Sequence, residues 1–137
     1  MIFEKTLKEL SQEELLSIFK LRQEVFMIEQ GIKEVDIDDH DINCKHLFIK
    51  FNGKIVSYAR LINEQGELYI GRIATDIHYR KNGYSSKIIE YLKTKHDVLA
   101  ISSQEQRISF YKKLGFIPVG KKYKDANILH QKMVYIK

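Results

Sequence analysis

The 137-residue sequence predicts a mixed α/β domain, with one central sheet of six to seven strands and about four flanking helices. Three observations carry this. Asn52-Gly53 separates two apolar, strand-like runs, the strongest short signal for a β-hairpin. Helical periodicity at 84–95 and at 104–114 follows strand-like runs at 67–75 and 98–102, so strands and helices alternate in the second half. No repeat, low-complexity tract or Pro/Gly/Ser-rich linker divides the chain, so residues 1–137 are read as a single domain.

In order, residues 2–7 alternate as a short strand. Ser11 with Glu14 three residues on is a capping box, and Leu15, Leu16, Phe19, Val25 and Phe26 then keep helical spacing to about Glu29. An acidic loop with room for one helical turn follows, carrying Glu34, Asp36, Asp38, Asp39 and Asp41. Residues 46–51 and 54–62 form the hairpin about Asn52-Gly53, and Gly66 marks a second turn before the strand 67–75. In the helix 84–95, Tyr84, Ile88, Tyr91 and Leu92 share a face. The helix 104–114 stops at Gly115, a residue suited to a left-handed cap, and 116–119 and 128–136 are the closing strands.

Composition narrows the function. With 44% apolar and 30% charged residues the body of the chain is not disordered. The first residues lack the apolar core of a signal peptide, and no apolar run approaches membrane-spanning length. Cys44 is the single cysteine, so no internal disulfide forms, and a filler thiol is its plain reading; a cytoplasmic location is expected. The net charge of +5 suits a polyanionic small molecule as well as nucleic acid. The basic residues are scattered, and Lys121, Lys122 and Lys124, the nearest to a run, read as a solvated turn; neither nucleic acid nor membrane is expected as a partner.

The chemistry concentrates at Ile70–Ser86. A strand ends in Ile73-Ala74-Thr75, a loop follows, and Arg80-Lys81-Asn82-Gly83-Tyr84-Ser85-Ser86 opens a helix. Free N–H groups at a helix start and the helix dipole suit a pyrophosphate. Gly83 permits close backbone approach, Arg80 and Lys81 add charge, and Ser85 and Ser86 offer hydroxyls.

This loop resembles the coenzyme A loop of the GNAT acetyltransferases: Arg or Gln, two residues, Gly, one residue, Gly or Ala. The chain gives Arg80, Gly83 and Ser85, with Ser85 departing from the usual Gly or Ala and Lys81 standing where Gly is common. Phe110-Tyr111-Lys112-Lys113-Leu114-Gly115-Phe116 resembles the second signature of that superfamily. Residues 21–30 (LRQEVFMIEQ), the acidic loop, His46, Tyr58-Ala59-Arg60-Leu61 and Ile70-Gly71-Arg72-Ile73 resemble its ElaA-like branch.

The resemblance implies transfer of an acetyl group from acetyl-CoA to a primary amine by direct attack in a ternary complex, with no metal. It places the pantetheine arm against Ile73–Thr75, between a fourth and a fifth strand that splay apart. It makes Tyr111 the acid that protonates the departing thiolate. The attacking amine must be neutral although its ordinary pKa is near ~10, so a base is needed. Glu29, Glu34, His46, Glu67, His78 and His130 stay open for that role. Arg60 and Arg72 interrupt apolar strands and suit an anionic substrate group; equally, they suit pairing with the acidic loop. Gln104 is a substrate contact or a helix-start residue. Read as an EF-hand from Asp36, the acidic loop has Asp41 at the sixth position and Leu47 at the twelfth, so it fails that test. A coenzyme A-binding sensor without catalysis is the alternative function. Pairing of exposed sheet edges into a homodimer also stays open.

Overall fold

The structure, a computed structural model, describes residues 1–137. Strand β1 (Ile2–Lys5) and a 3-10 turn lead into α1 (Gln12–Arg22). The capping box forms as the spacing predicts: the Glu14 N–H donates to the Ser11 hydroxyl at 3.0 Å, and the Ser11 N–H donates to the Glu14 carboxylate at 2.9 Å. The helix does not continue as an α-helix to Glu29. From Gln23 to Glu29 it widens to a π-helix, with the Gln30 N–H bonded to the Val25 carbonyl. The acidic loop contains one helical turn, α2 (His40–Asn43).

The sheet adds β2 (Lys45–Phe51), β3 (Lys54–Glu64), β4 (Glu67–Thr75), β5 (Val98–Gln104), β6 (Ile117–Asp125) and β7 (Ile128–Ile136). The strand order is β1-β2-β3-β4-β5-β7-β6. Every pair is antiparallel except β4–β5, which is joined through α3 (Tyr84–Lys95). Successive strand residues face opposite sides, which gives two cores. Leu47, Ala59, Ile101 and Met133 pack with Ile88, Ile89 and Leu92 of α3, while Phe48, Tyr58 and Ala74 pack with Ile18 and Leu21 of α1.

Two boundaries differ from the sequence expectation. β5 runs to Gln104, a 3-10 turn follows, and α4 covers only Ile108–Lys113. β6 continues to Asp125 and turns through Ala126 and Asn127, at φ 52° and 60°, into β7. The lysines at 121, 122 and 124 therefore lie in an edge strand, not a turn. β6 is exposed along its whole length, so no burial alternation marks it in the sequence.

Candidate functional site

The parallel pair β4–β5 is matched at only two positions, Tyr69 with Ala100 and Ile70 with Ile101. Beyond them the strands part. A bulge on β4 contributes: Arg60 and Tyr58 on β3 are two residues apart, but their partners Gly71 and Ala74 are three apart, and Arg72 takes φ 50°. The wedge opens into a cleft of about 1100 Å³ lined by Ile73, Ala74, Thr75, Arg80, Lys81, Gly83, Tyr84, Ser85 and Ser86 on one side, and by Ser102, Gln104 and Tyr111 on the other. Asn82 alone of the predicted loop residues is off this wall. Its side chain donates to the Tyr79 carbonyl at 3.0 Å and braces the loop.

At the start of α3, Gly83 is left-handed at φ 75°, a conformation in which a Cβ is unfavourable, and nothing lies within 4 Å of where that Cβ would stand. The first helical bond is from the Lys87 N–H to the Gly83 carbonyl, so the amides of 83–86 have no acceptor within the helix. Ser85 departs from Gly or Ala for a local reason: its hydroxyl meets that of Thr75 at 2.9 Å, and Thr75 meets Ser57 at 2.9 Å, tying α3 to β4 and β3. Arg80 is already paired. Its Nε donates to the Thr75 carbonyl and its terminal nitrogens to Glu29.

Tyr111 sits on α4, is 6% exposed, and packs edge-on against Phe110 and Phe116 while lining the cleft. Burial pushes its phenol above the ordinary range, and Arg107 nearby works against that push. The group therefore keeps its proton at neutral pH.

Three acids of the acidic loop, Asp36, Asp38 and Asp41, are paired with arginines, while Glu34 and Asp39 stay exposed. Arg22, with no exposure, donates to Asp41 at 2.7 Å and to Asp36 at 2.9 Å. Arg60, 3% exposed, donates to Asp38 at 2.7 Å and to Asp41 at 3.0 Å. Arg72 reaches Asp36 at 2.9 Å and Asp38 at 3.4 Å. Of the two roles read for Arg60 and Arg72, this is the pairing with the acidic loop, although both still line the cleft.

The base candidates separate by placement. His46 is wholly buried between Tyr58, Cys44 and the Asp41 carbonyl, and burial lowers its pKa. Cys44 is buried as a filler thiol is, and burial pushes it up to about 11. Its Sγ, His46 and Asp41 lie close enough to suit a metal, but Asp41 is committed to two arginines and His46 to Tyr58. Glu67 is tied to Lys132, Glu29 to Arg80, and His78 is off the cleft. Glu34 and His130 line it. His130 Nδ1 is 2.7 Å from the Ile128 carbonyl and must donate to it, which leaves Nε2 as an acceptor. His130 pairs across β5 with Gln104 and across β6 with Tyr123, and Gln104, Tyr123 and His130 all line the cleft. Sequence reasoning did not find Tyr123, because the basic stretch around it reads as a solvated turn and β6 is exposed throughout.

Comparison with known proteins gives a consistent result. A family model described as Acetyltransferase (GNAT) domain matches residues 7–137. A UPF0039 protein of Schizosaccharomyces pombe is 37% identical over 133 residues, covering 90% of this chain and 89% of its own. The solved structure of an acyl-CoA N-acyltransferase from Pseudomonas aeruginosa superposes with a TM-score of 0.91 at 25% identity, over 98% of each chain. That of Escherichia coli ElaA superposes with a TM-score of 0.89 at 27% identity, over 98% of this chain and 99% of its own.

Proposed function

The chain belongs to the GNAT acetyltransferase family, in its ElaA-like branch, and from that premise we propose that it moves an acetyl group from acetyl-CoA to a primary amine. One observation carries the reading. The β4–β5 wedge runs directly onto the unpaired amides of 83–86 at the start of α3. A long, thin thiol ester with a pyrophosphate at one end fits that combination.

In this reading the pyrophosphate lies on the amides of α3, where the helix dipole favours negative charge, and Lys81 adds to it. The pantetheine arm runs up the wedge beside Ile73–Thr75, and a β4 N–H there faces the thioester oxygen. The amine enters from the side of Tyr123 and His130. His130 Nε2 takes a proton from the ammonium, and the neutral amine attacks the carbonyl carbon while acetyl-CoA is still bound. The C–N bond forms, the C–S bond breaks, and the Tyr111 hydroxyl gives its proton to the departing thiolate. The amine's second proton leaves to water.

The test begins with thermal shifts using acetyl-CoA, with ATP and NAD as controls. A ligand at 100 times its dissociation constant adds about 2.7 kcal/mol of stability. A shift specific to acetyl-CoA, followed by free-thiol release with some member of a primary-amine panel, is the expected result. Folded protein that ignores millimolar acetyl-CoA would refute the cofactor assignment. Binding without thiol release from any amine would favour the sensor.

A further inference from the structure

Two consecutive side chains cross the mouth of the wedge. Glu29 ends the π-helical segment, and its carboxylate takes both terminal nitrogens of Arg80, at 2.5 and 2.6 Å. Arg80 Nε donates to the carbonyl of Thr75, the last residue of β4, at 3.0 Å. The neighbour of Glu29, Gln30, accepts through Oε1 from Nε2 of Gln104 at 2.9 Å. Gln104 is the last residue of β5, and its own Oε1 is fixed by Gln106 at 2.8 Å. The ends of the two strands that part are thus rejoined by one line of polar contacts: Thr75, Arg80, Glu29, Gln30, Gln104. The four side chains in that line all border the cleft.

The order of contacts bears on what Arg80 does. Both of its terminal nitrogens bond a carboxylate 51 residues away and its Nε bonds β4, so its charge is paired within the protein. The amides of 83–86 and Lys81 are left to meet an anion. The π-helical segment ends at this point, with Glu29 and Gln30 both bordering the cleft. An arm that pairs with β4 needs a gap of constant width, and a gap fixed in advance spares the ordering cost at binding.

We propose that Glu29 and Gln30 are positioning residues for the acyl-CoA arm: they hold the wedge at its working width, with Arg80 as their anchor and not as a phosphate ligand. The inference rests on the acyl-CoA reading above. The Glu29–Arg80 pair is about one-third exposed on each side, at 36% and 35%, so its loss should leave folding nearly intact.

The two roles of Arg80 predict opposite signs. If Arg80 waits for phosphate, Glu29 competes with the ligand, and Glu29→Gln should tighten coenzyme A binding. If Glu29 and Arg80 are a brace, Glu29→Gln should weaken it, by about tenfold, and Arg80→Gln by the same factor. Calorimetric titration with coenzyme A on wild type, Glu29→Gln, Arg80→Gln and the double variant decides. Melting of each unliganded variant checks that it is folded. The brace predicts a double variant no weaker than either single one, and a smaller loss, about threefold, for Gln30→Ala. Unchanged or tighter binding by Glu29→Gln overturns the proposal. So does an Arg80→Gln loss that adds in full to that of Glu29→Gln. Wild-type protein that fails to bind coenzyme A would sink the acyl-CoA reading instead.

Discussion

The acidic loop and the start of α3 both manage charge, in opposite ways. In the loop, Asp36, Asp38 and Asp41 meet Arg22, Arg60 and Arg72, most of them out of water, and each ion finds its partner inside the protein. At the start of α3 the donors are backbone amides, and the fold leaves them unmet. Charge balanced internally belongs to the architecture. Donors left open at a helix start belong to a site. Damage to the first should therefore appear in folding, and damage to the second in binding or turnover.

The largest effect should come from the hub. Asp41 is shared by Arg22 and Arg60, both nearly or fully buried. Asp41→Ala takes from both guanidiniums the carboxylate they share, leaving Arg22 with Asp36 and Arg60 with Asp38, and should cost about 3 kcal/mol of stability, read from urea unfolding. A variant that unfolds normally yet loses acetyl-CoA binding would place the hub in the site and collapse the contrast.

Turnover comes next. Tyr111→Phe keeps the ring contacts with Phe110 and Phe116 but removes the hydroxyl proposed as the acid. The expected result is a fall in kcat of about 100-fold with coenzyme A affinity unchanged, measured in steady state on the best amine of the panel. Because burial raises the phenol's pKa, the wild-type rate should show no alkaline fall from this group at its ordinary titration point near ~10. His130→Gln should lower kcat by about tenfold in the same assay if His130 is the proposed base. An unaltered kcat would point to Glu34 or to water in that role.

A smaller effect separates the two regions by pH. The Arg60 guanidinium holds the Asp38 carboxyl at about 2, against an ordinary 3.8. A carboxyl depressed in the folded state contributes stability that is complete above its unfolded pKa and lost as pH falls through the folded value. Stability should therefore drop between about pH 4 and pH 2, by about 2 kcal/mol at most from this group, since Asp38 is 31% exposed. Asp38→Asn should flatten that part of the acid titration and lower the stability at neutral pH. A wild-type protein equally stable at pH 5 and pH 2.5 would contradict this.

The same contrast explains what the sequence discloses. The helix start is local: Gly83, Ser85 and a strand ending ten residues earlier lie within one stretch, so spacing alone points to it. The capping box at Ser11 and the hairpin at Asn52-Gly53 are legible for the same reason. The hub joins residues 14–36 positions apart, and nothing in local spacing chooses between arginines that bind a substrate anion and arginines that bind Asp38 or Asp36. The π-turn at Gln23–Glu29 is hidden because five-residue and four-residue backbone bonds use the same apolar pattern over two turns. The start of β6 is legible at 116–119, but its continuation to Asp125 is hidden because that stretch is exposed throughout.

The smallest effect concerns Gly83, and two substitutions there divide strain from recognition. The residue is at φ +75° with open space where a Cβ would go. Gly83→Ala clashes with nothing in the unliganded protein, so its stability cost should be the left-handed penalty alone, about 1 kcal/mol. Asn tolerates that conformation better, so Gly83→Asn should recover much of the loss in melting temperature. Coenzyme A affinity should fall in both, and further in Asn, because the space the side chain fills is the space a phosphate would take. If Asn restores affinity along with stability, Gly83 serves the turn only, and the anion lies farther along the helix start, against Ser85 and Ser86.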